Sequence, residues 1–327
     1  MSTAVLSTMP KFDHIRKLDL SRDLDQVADL IEICFPIHKD QDGQTYVREM
    51  RKAARDMRMM GWLNNLAEMG SQRASGFVWE QDGQIVGNLS LVPYQKDHSR
   101  IHLIANVAVH PDYRRQGIGR ALTVHALTFL RRRGEKQTWL QVRDDNPGAI
   151  DLYHSVGFTD RFTRTTWRIR PSEFRAMPAL RSPNLSIRRR RLADWKYQQH
   201  WLDTAYPHDI RWNLPVDFSR FTPGLLQGLE NFLDGVNLRH WTVLDSGNCL
   251  GAVTWQKTKS FANNLWLAFP EATGNKILPG ALNLVLRRLS RTHPLSIDYP
   301  KGWASQELTT MGFENFRTLI WMVRSLK

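Results

Sequence analysis

At 327 residues the chain exceeds the usual span of one hydrophobic core, so two domains are expected, and a hydrophobic content of 42% supports folded structure throughout. Its two cysteines, Cys34 and Cys249, lie far apart with no partner at metal spacing, which argues against a disulfide framework or a zinc site and fits a reducing, cytoplasmic compartment. A formal charge of +13 points toward anionic partners, but the densest basic runs, residues 131–133 and 188–191, come without a known nucleic-acid-binding signature, and a cofactor with several phosphates would be drawn by the same field. No charged leader with an apolar core and no 18-residue apolar run is present, so neither export nor membrane insertion is expected.

In chain order, residues 14–18 read as a short strand. Ser21 then reads as an N-cap, with a helix carried by Leu24, Val27, Ala28 and Ile31 to Cys34. Phe35-Pro36 ends it, and a basic helix follows over residues 45–60, whose Met50, Met57, Met59 and Met60 read as core fillers, before Gly61 and Trp62. Residues 76–79 and 85–92 flank Asp82-Gly83, which predicts a hairpin because glycine accepts φ > 0 in its turn. A third strand covers residues 101–109, and a helix over residues 117–133 turns Ile118, Leu122, Ala126 and Phe129 inward, with His125 packed beside them or solvated. Another strand spans 138–142. Asn146 caps a helix with Pro147 at its first position, Gly157-Phe158 closes it, and residues 163–170 return as a strand.

The stretch 106–122 organises the rest: a β-branched strand end, two arginines, then two close glycines opening a helix. The first N–H groups of such a helix lack intrahelical partners and face outward with the positive end of the macrodipole, so an anion is the natural ligand. A P-loop would end in Gly-Lys-Ser/Thr, whereas residues 119–121 read Gly-Arg-Ala, and a dinucleotide fingerprint would place a third glycine where Leu122 stands. What remains is Arg-x-x-Gly-x-Gly, from Arg114 to Gly119. This resembles the coenzyme A pyrophosphate loop of the GNAT superfamily of acyl-CoA-dependent N-acetyltransferases. A second string, Asn146-x-x-Ala149-x-x-Leu152-Tyr153-x-x-x-Gly157-Phe158, resembles that family's other signature, in the right order and spacing.

After a proline-bearing linker the landmarks recur. Ser186-Ile187-Arg188 echoes His14-Ile15-Arg16, Ser246-Gly247 echoes Asp82-Gly83, and Met311-Gly312-Phe313 echoes Val156-Gly157-Phe158. The second copy lacks the glycine loop: residues 269–276 read Phe-Pro-Glu-Ala-Thr-Gly-Asn-Lys, a helix is expected over 278–290, and no tyrosine stands where Tyr153 would recur. The expected architecture is therefore α/β (α+β), two GNAT-like domains, each a twisted mixed, mostly antiparallel sheet flanked by helices. A catalytic domain covers residues 1–171, a linker 172–184, and a degenerate copy 185–327, which would cover the first domain, shape its acceptor pocket or dimerise.

The resemblance implies acetyl transfer from acetyl-CoA, the co-substrate, directly to a primary amine of a small molecule or peptide, with no metal. It implies that backbone groups of Val107, Ala108 and Val109 pair with the pantetheine arm and face the oxyanion. Arg114 and the N–H groups of Arg115, Gln116, Gly117, Ile118, Gly119 and Arg120 would hold the pyrophosphate, Asn146 would contact the cofactor near its thioester, and Tyr153 would protonate the leaving sulfur. An amine of pKa near 10.4 is mostly protonated at neutral pH, and freeing its lone pair costs about 4–5 kcal/mol, so a base or a water chain is useful. Residues 101–109 hold no carboxylate; His102, on the same face as Asn106 by strict alternation, and Glu80, ending the preceding strand, are the candidates. A monomer or a homodimer is compatible. A non-catalytic acyl-CoA-binding scaffold and a basic nucleic-acid-binding protein on the same fold stand as alternatives.

Overall fold

The computed structural model describes residues 12–59, 75–96, 99–176, 184–290 and 292–327. Met57, Met59 and Met60 as core fillers, Trp62, and residues 177–183 of the expected linker therefore fall outside the described side chains or residues. The chain forms two compact units, Met1–Arg161 with Trp321–Lys327, and Phe162–Ile320.

In the first unit, β1 (Ile15–Lys17) leads into α1 (Leu20–Cys34) and α2 (Gln41–Met59). The cap of α1 is Asp19 rather than Ser21: its carboxylate accepts from the N–H of Ser21 at 2.9 Å and of Arg22 at 3.4 Å, and the Ser21 hydroxyl donates to the same oxygen. Next come β2 (Ser75–Gln81), β3 (Gln84–Lys96) and β4 (Ser99–Val109). Asp82 and Gly83 both take positive φ in the hairpin turn, as a tight turn between twisted strands requires. Helix α3 (Ile118–Arg132), β5 (Gln137–Arg143), α4 (Pro147–Ser155) and the start of β6 (Thr159–Ile169) complete the order. The strands of this unit lie in the sequence β1-β2-β3-β4-β5, antiparallel as far as β4 and parallel at β4–β5. Val27, Ala28, Leu30 and Ile31 of α1 share one buried cluster with Val47, Val78, Ile85 and Ala108, and Met50 packs against it, as its place among the core fillers predicts. Each such side chain contributes about 1.5–3 kcal/mol on burial.

The second unit takes the rest of β6, a helical turn α5 (Pro171–Ala176), β7 (Leu185–Arg189), α6 (Trp195–Ala205), α7 (His208–Arg211) and α8 (Leu225–Leu233). It continues with β8 (Leu238–Asp245), β9 (Asn248–Gln256), β10 (Asn263–Ala268), α9 (Glu271–Leu286), β11 (Leu295–Pro300), α10 (Ser305–Thr310) and the first part of β12 (Glu314–Ser325). Its strands run β12-β6-β11-β10-β9-β8-β7, so the hairpin, the parallel β10–β11 pair and the closing helix recur in the order met before. Ser246 and Gly247 repeat the two positive φ values of the first hairpin. Helix α9 starts seven residues before the expected 278, because Pro270 caps it directly after β10 and Pro279 is carried inside it. Only two residues, Phe269 and Pro270, separate strand from helix, so the loop that opens α3 has no counterpart here.

Among the described residues, no helix is long and apolar enough to cross a membrane, and no group of three or more His, Cys, Asp and Glu side chains could hold a metal ion.

Candidate active site

The site grows from the end of β4. Strand β4 pairs with β5 at His102, Leu103 and Ile104 only, although β4 runs on to Val109. Beyond Ile104 the two strands part, and the β5-facing edge of residues 105–109 carries no ladder to β5. On the other edge, Ala105 stands opposite Ser90 and Ala108 opposite Asn88, so Asn106 and Val107 together oppose Leu89. This is a bulge, and Asn106 takes φ 50° to make it, a left-handed conformation that asparagine tolerates better than most residues. The bulge breaks the alternation that would have put His102 and Asn106 on one face.

A polar cluster surrounds the bulge. The Asn88 amide donates to the Asn106 carbonyl at 2.8 Å, which fixes its orientation and leaves its buried Oδ1 without a hydrogen-bond partner. The Asn106 amide donates to the Tyr46 hydroxyl at 2.7 Å and approaches the Ser90 hydroxyl at 3.4 Å. Tyr46 comes from α2, and nothing in the local sequence links it to β4; the signal that could have pointed to the bulge is asparagine inside a β-branched strand.

Past Val109 the chain makes a single turn of 3₁₀ helix at Pro111–Tyr113, and Arg115 and Gly117 take φ 66° and 81°. Gly117 caps α3 in the left-handed conformation with no side-chain hydrogen bond, and the first intrahelical bond runs from the N–H of Ala121 to the carbonyl of Gly117. The N–H groups of Ile118, Gly119 and Arg120 thus lie at the open end of the helix, with Arg114, Arg115, Gln116 and Arg120 exposed around them. Arg114 folds back, its Nε donating to the Val109 carbonyl at 3.1 Å, and the Cys34 thiol donates to the same oxygen at 3.2 Å. Burial raises the Cys34 thiol above its ordinary range.

A side chain at Gly119 would meet Leu152 of α4 at 3.2 Å and Val109 at 3.7 Å. That close approach brings α4 up to the loop and explains why residues of the two signatures lie near each other. Asn146 caps α4, accepting from the Ala149 N–H at 3.2 Å. Tyr153 is 7% exposed, sets its ring edge-on to Phe158, and is driven by burial alone well above the ordinary phenol range, so it is a neutral donor at any physiological pH.

The two candidate bases lie elsewhere. Glu80 stands opposite Ile85 and His102 opposite Pro93, eight residues apart on β3, roughly 26 Å at ~3.3 Å per residue. Glu80 is held by Arg16 at 2.5 Å and Arg22 at 3.2 Å, and Arg16 foremost keeps its carboxyl below the usual range. His102 is 4% exposed, and burial, then Arg100 and Arg133, push it down to about 4. Glu135 approaches its Nδ1 to 3.1 Å without hydrogen-bond geometry, and burial raises that carboxyl.

A histidine whose folded pKa lies below its unfolded value of about 6.5 stabilises the fold fully above that pH, and the contribution is lost as pH falls toward 4. Urea unfolding between pH 6.5 and 4 is therefore expected to show a loss on the order of 3 kcal/mol that His102→Gln removes, and an identical pH dependence in that variant would contradict the assignment.

Parting strands thus stand beside a helix whose N-terminus is opened by Gly117. Residues 25–158, within the first unit, match the acetyltransferase (GNAT) family. The bS18 ribosomal-protein-alanine N-acetyltransferase of Escherichia coli K12 is 48% identical over 62 residues, which are 19% of this chain and 42% of that enzyme. The chain thus spans less than half the length of that relative. An uncharacterized N-acetyltransferase of Methanocaldococcus jannaschii is 30% identical over 149 residues, 44% of this chain and 61% of its own. A GCN5-related N-acetyltransferase structure from Sphaerobacter thermophilus shares the fold over 98% of both chains, with a TM-score of 0.56 at 15% identity.

Proposed function

We propose that the chain is an N-acetyltransferase that moves an acetyl group from acetyl-CoA to a primary amine, with the chemistry confined to the first unit. The observation that carries this reading is the parting of β4 from β5 directly before the left-handed Gly117 cap. The residues present fit the cofactor: the open edge of Val107, Ala108 and Val109 can pair with an amide-bearing arm, and the N–H groups of Ile118, Gly119 and Arg120 suit a pyrophosphate. Bound there, acetyl-CoA supplies an activated acyl thioester.

The chain's own part is to orient and to move protons. A backbone N–H at the bulge faces the carbonyl oxygen as charge develops on it, and Tyr153 donates a proton to the departing sulfur. Glu80 is committed to two arginines and His102 is buried and held neutral, so the proton from the amine leaves through water. The Tyr46, Asn106, Ser90 and Asn88 cluster supports that route, since the orphaned Asn88 Oδ1 is an acceptor a bound water or the amine itself would satisfy.

Calorimetry with acetyl-CoA, followed by thiol release against a panel of peptide and small-molecule amines, tests the reading. Saturable binding that Gly117→Val abolishes is expected, because valine strains at φ 81° and crowds the phosphate seat. Absence of both binding heat and a thermal shift would sink it.

A further inference from the structure

The first unit carries a cationic trench at the opposite end of α3 from the glycine loop, roughly 22 Å away for 15 residues at ~1.5 Å each. It has a volume of about 1140 Å³ and is walled by the start of β4, the turn between α3 and β5, and residues 323–327. Of its 15 lining residues six are cationic and one, Glu135, is acidic, whereas the chain's 45 lysines and arginines in 327 residues would put about two there. A shallower groove continues from it along α3, lined by Val124, Leu127, Thr128 and Arg131 on one face of the helix, and shares Arg324 and Lys327 with the trench.

The charges crowd one another. Burial and then Arg131 depress the Arg324 guanidinium, and Arg100 and Arg133 help to depress His102 beneath the floor. The Arg324 guanidinium lies 3.1 Å from where a side chain at Gly157 would begin, and the Leu326 N–H donates to the Lys136 carbonyl at 3.0 Å, tying residues 323–327 to the turn. Cations held together against their own repulsion call for a ligand of high negative charge density.

Two properties narrow its class. Duplex nucleic acid presents one phosphate per ~1.7 Å of axis, a density that answers several cations in one trench. No aromatic ring lines either groove, so the stacking platform on which single strands rely is missing among the described residues. We propose that the trench formed by Lys96, Arg100, Arg133, Lys136, Arg324 and Lys327, with Arg131 of the adjoining groove, binds the phosphate backbone of duplex nucleic acid without reading its sequence. The proposal is independent of the acetyl-transfer reading: of the two basic runs in the sequence, the first contributes Arg131 and Arg133 to this surface.

The test is fluorescence anisotropy of the full chain with labelled 20-bp DNA and RNA duplexes between 50 and 200 mM NaCl. Affinity is expected to fall about 10³-fold over that range, as for about six neutralised phosphates. Arg131→Gln with Arg324→Gln should lower the log–log salt slope by about 2 while leaving acetyl-CoA affinity unchanged. Lys136→Gln with Lys327→Gln, at exposed positions, should do the same and guards against a folding defect at Arg324. Duplex binding that is absent at 50 mM, flat with salt or untouched by both double variants overturns the proposal, as does tighter binding of a 20-nucleotide single strand or of anionic vesicles than of either duplex.

Discussion

Tyr153→Phe is expected to lower kcat by about 10²–10⁴-fold, the usual range for loss of a positioned proton donor, while acetyl-CoA affinity and the melting temperature hold. The substitution removes one oxygen from a residue 7% exposed and keeps the ring that sits edge-on to Phe158, so packing is preserved. Burial keeps the phenol neutral, which makes it a donor throughout the range in which an amine nucleophile can act. Steady-state thiol release and calorimetry on the same preparation separate the two effects. Equal kcat in the two proteins would reduce Tyr153 to a core residue of α4.

Arg164→Ala is expected to destabilise the second unit by about 3–5 kcal/mol, the range seen when one member of a buried ion pair is removed. Arg164 is 2% exposed. Its guanidinium pairs with the Asp298 carboxylate, donates to the carbonyls of Ala205 at 2.8 Å and Asp298 at 3.2 Å, and lies over the Tyr206 ring at 4.9 Å. Truncation leaves the part-exposed Asp298 carboxylate and two carbonyls without the guanidinium, and it opens a cavity beside a fully buried tyrosine. Chemical denaturation measures the loss directly. Replacing both members, Arg164→Met with Asp298→Leu, should recover much of it, because the larger penalty comes from the unpaired partner; a double variant as unstable as the single one would show that the hydrogen bonds, not the charges, matter.

The glycine-opened N-terminus of α3 was legible in the residues because local chemistry dictates it. Two close glycines before an apolar-periodic helix specify a left-handed turn and an open N-terminus wherever they occur, and Asp82-Gly83 specifies its hairpin in the same way. The course of β4 was less so, since it depends on contacts distant in sequence. The bulge at Asn106 follows from a register shift against β3, and its partner Tyr46 arrives from a helix 60 residues earlier. His102 reads as a base by residue type, yet the α3–β5 turn brings Glu135 and Arg133 to it, beside Arg100 of its own strand, and burial leaves it a neutral group. In the same way Pro279 reads as a helix boundary from sequence alone, but the packing of Leu278, Ala281, Leu282 and Val285 into the core carries α9 through it.

The division of β12 between the units bears on how the chain comes to fold during synthesis. Residues 321–327 belong to the first unit and neighbour β5, yet 159 residues lie between them and Arg161 and are synthesised before them. At ~5–20 residues per second the first unit waits about 8–32 s with the edge of β5 unfinished, an interval in which unpaired strand edges invite wrong partners. Expression of the N-terminal segment by itself would make that wait permanent. The segment from Ile15 to Phe158 thus belongs to a body whose sheet is completed only by residues 321–327.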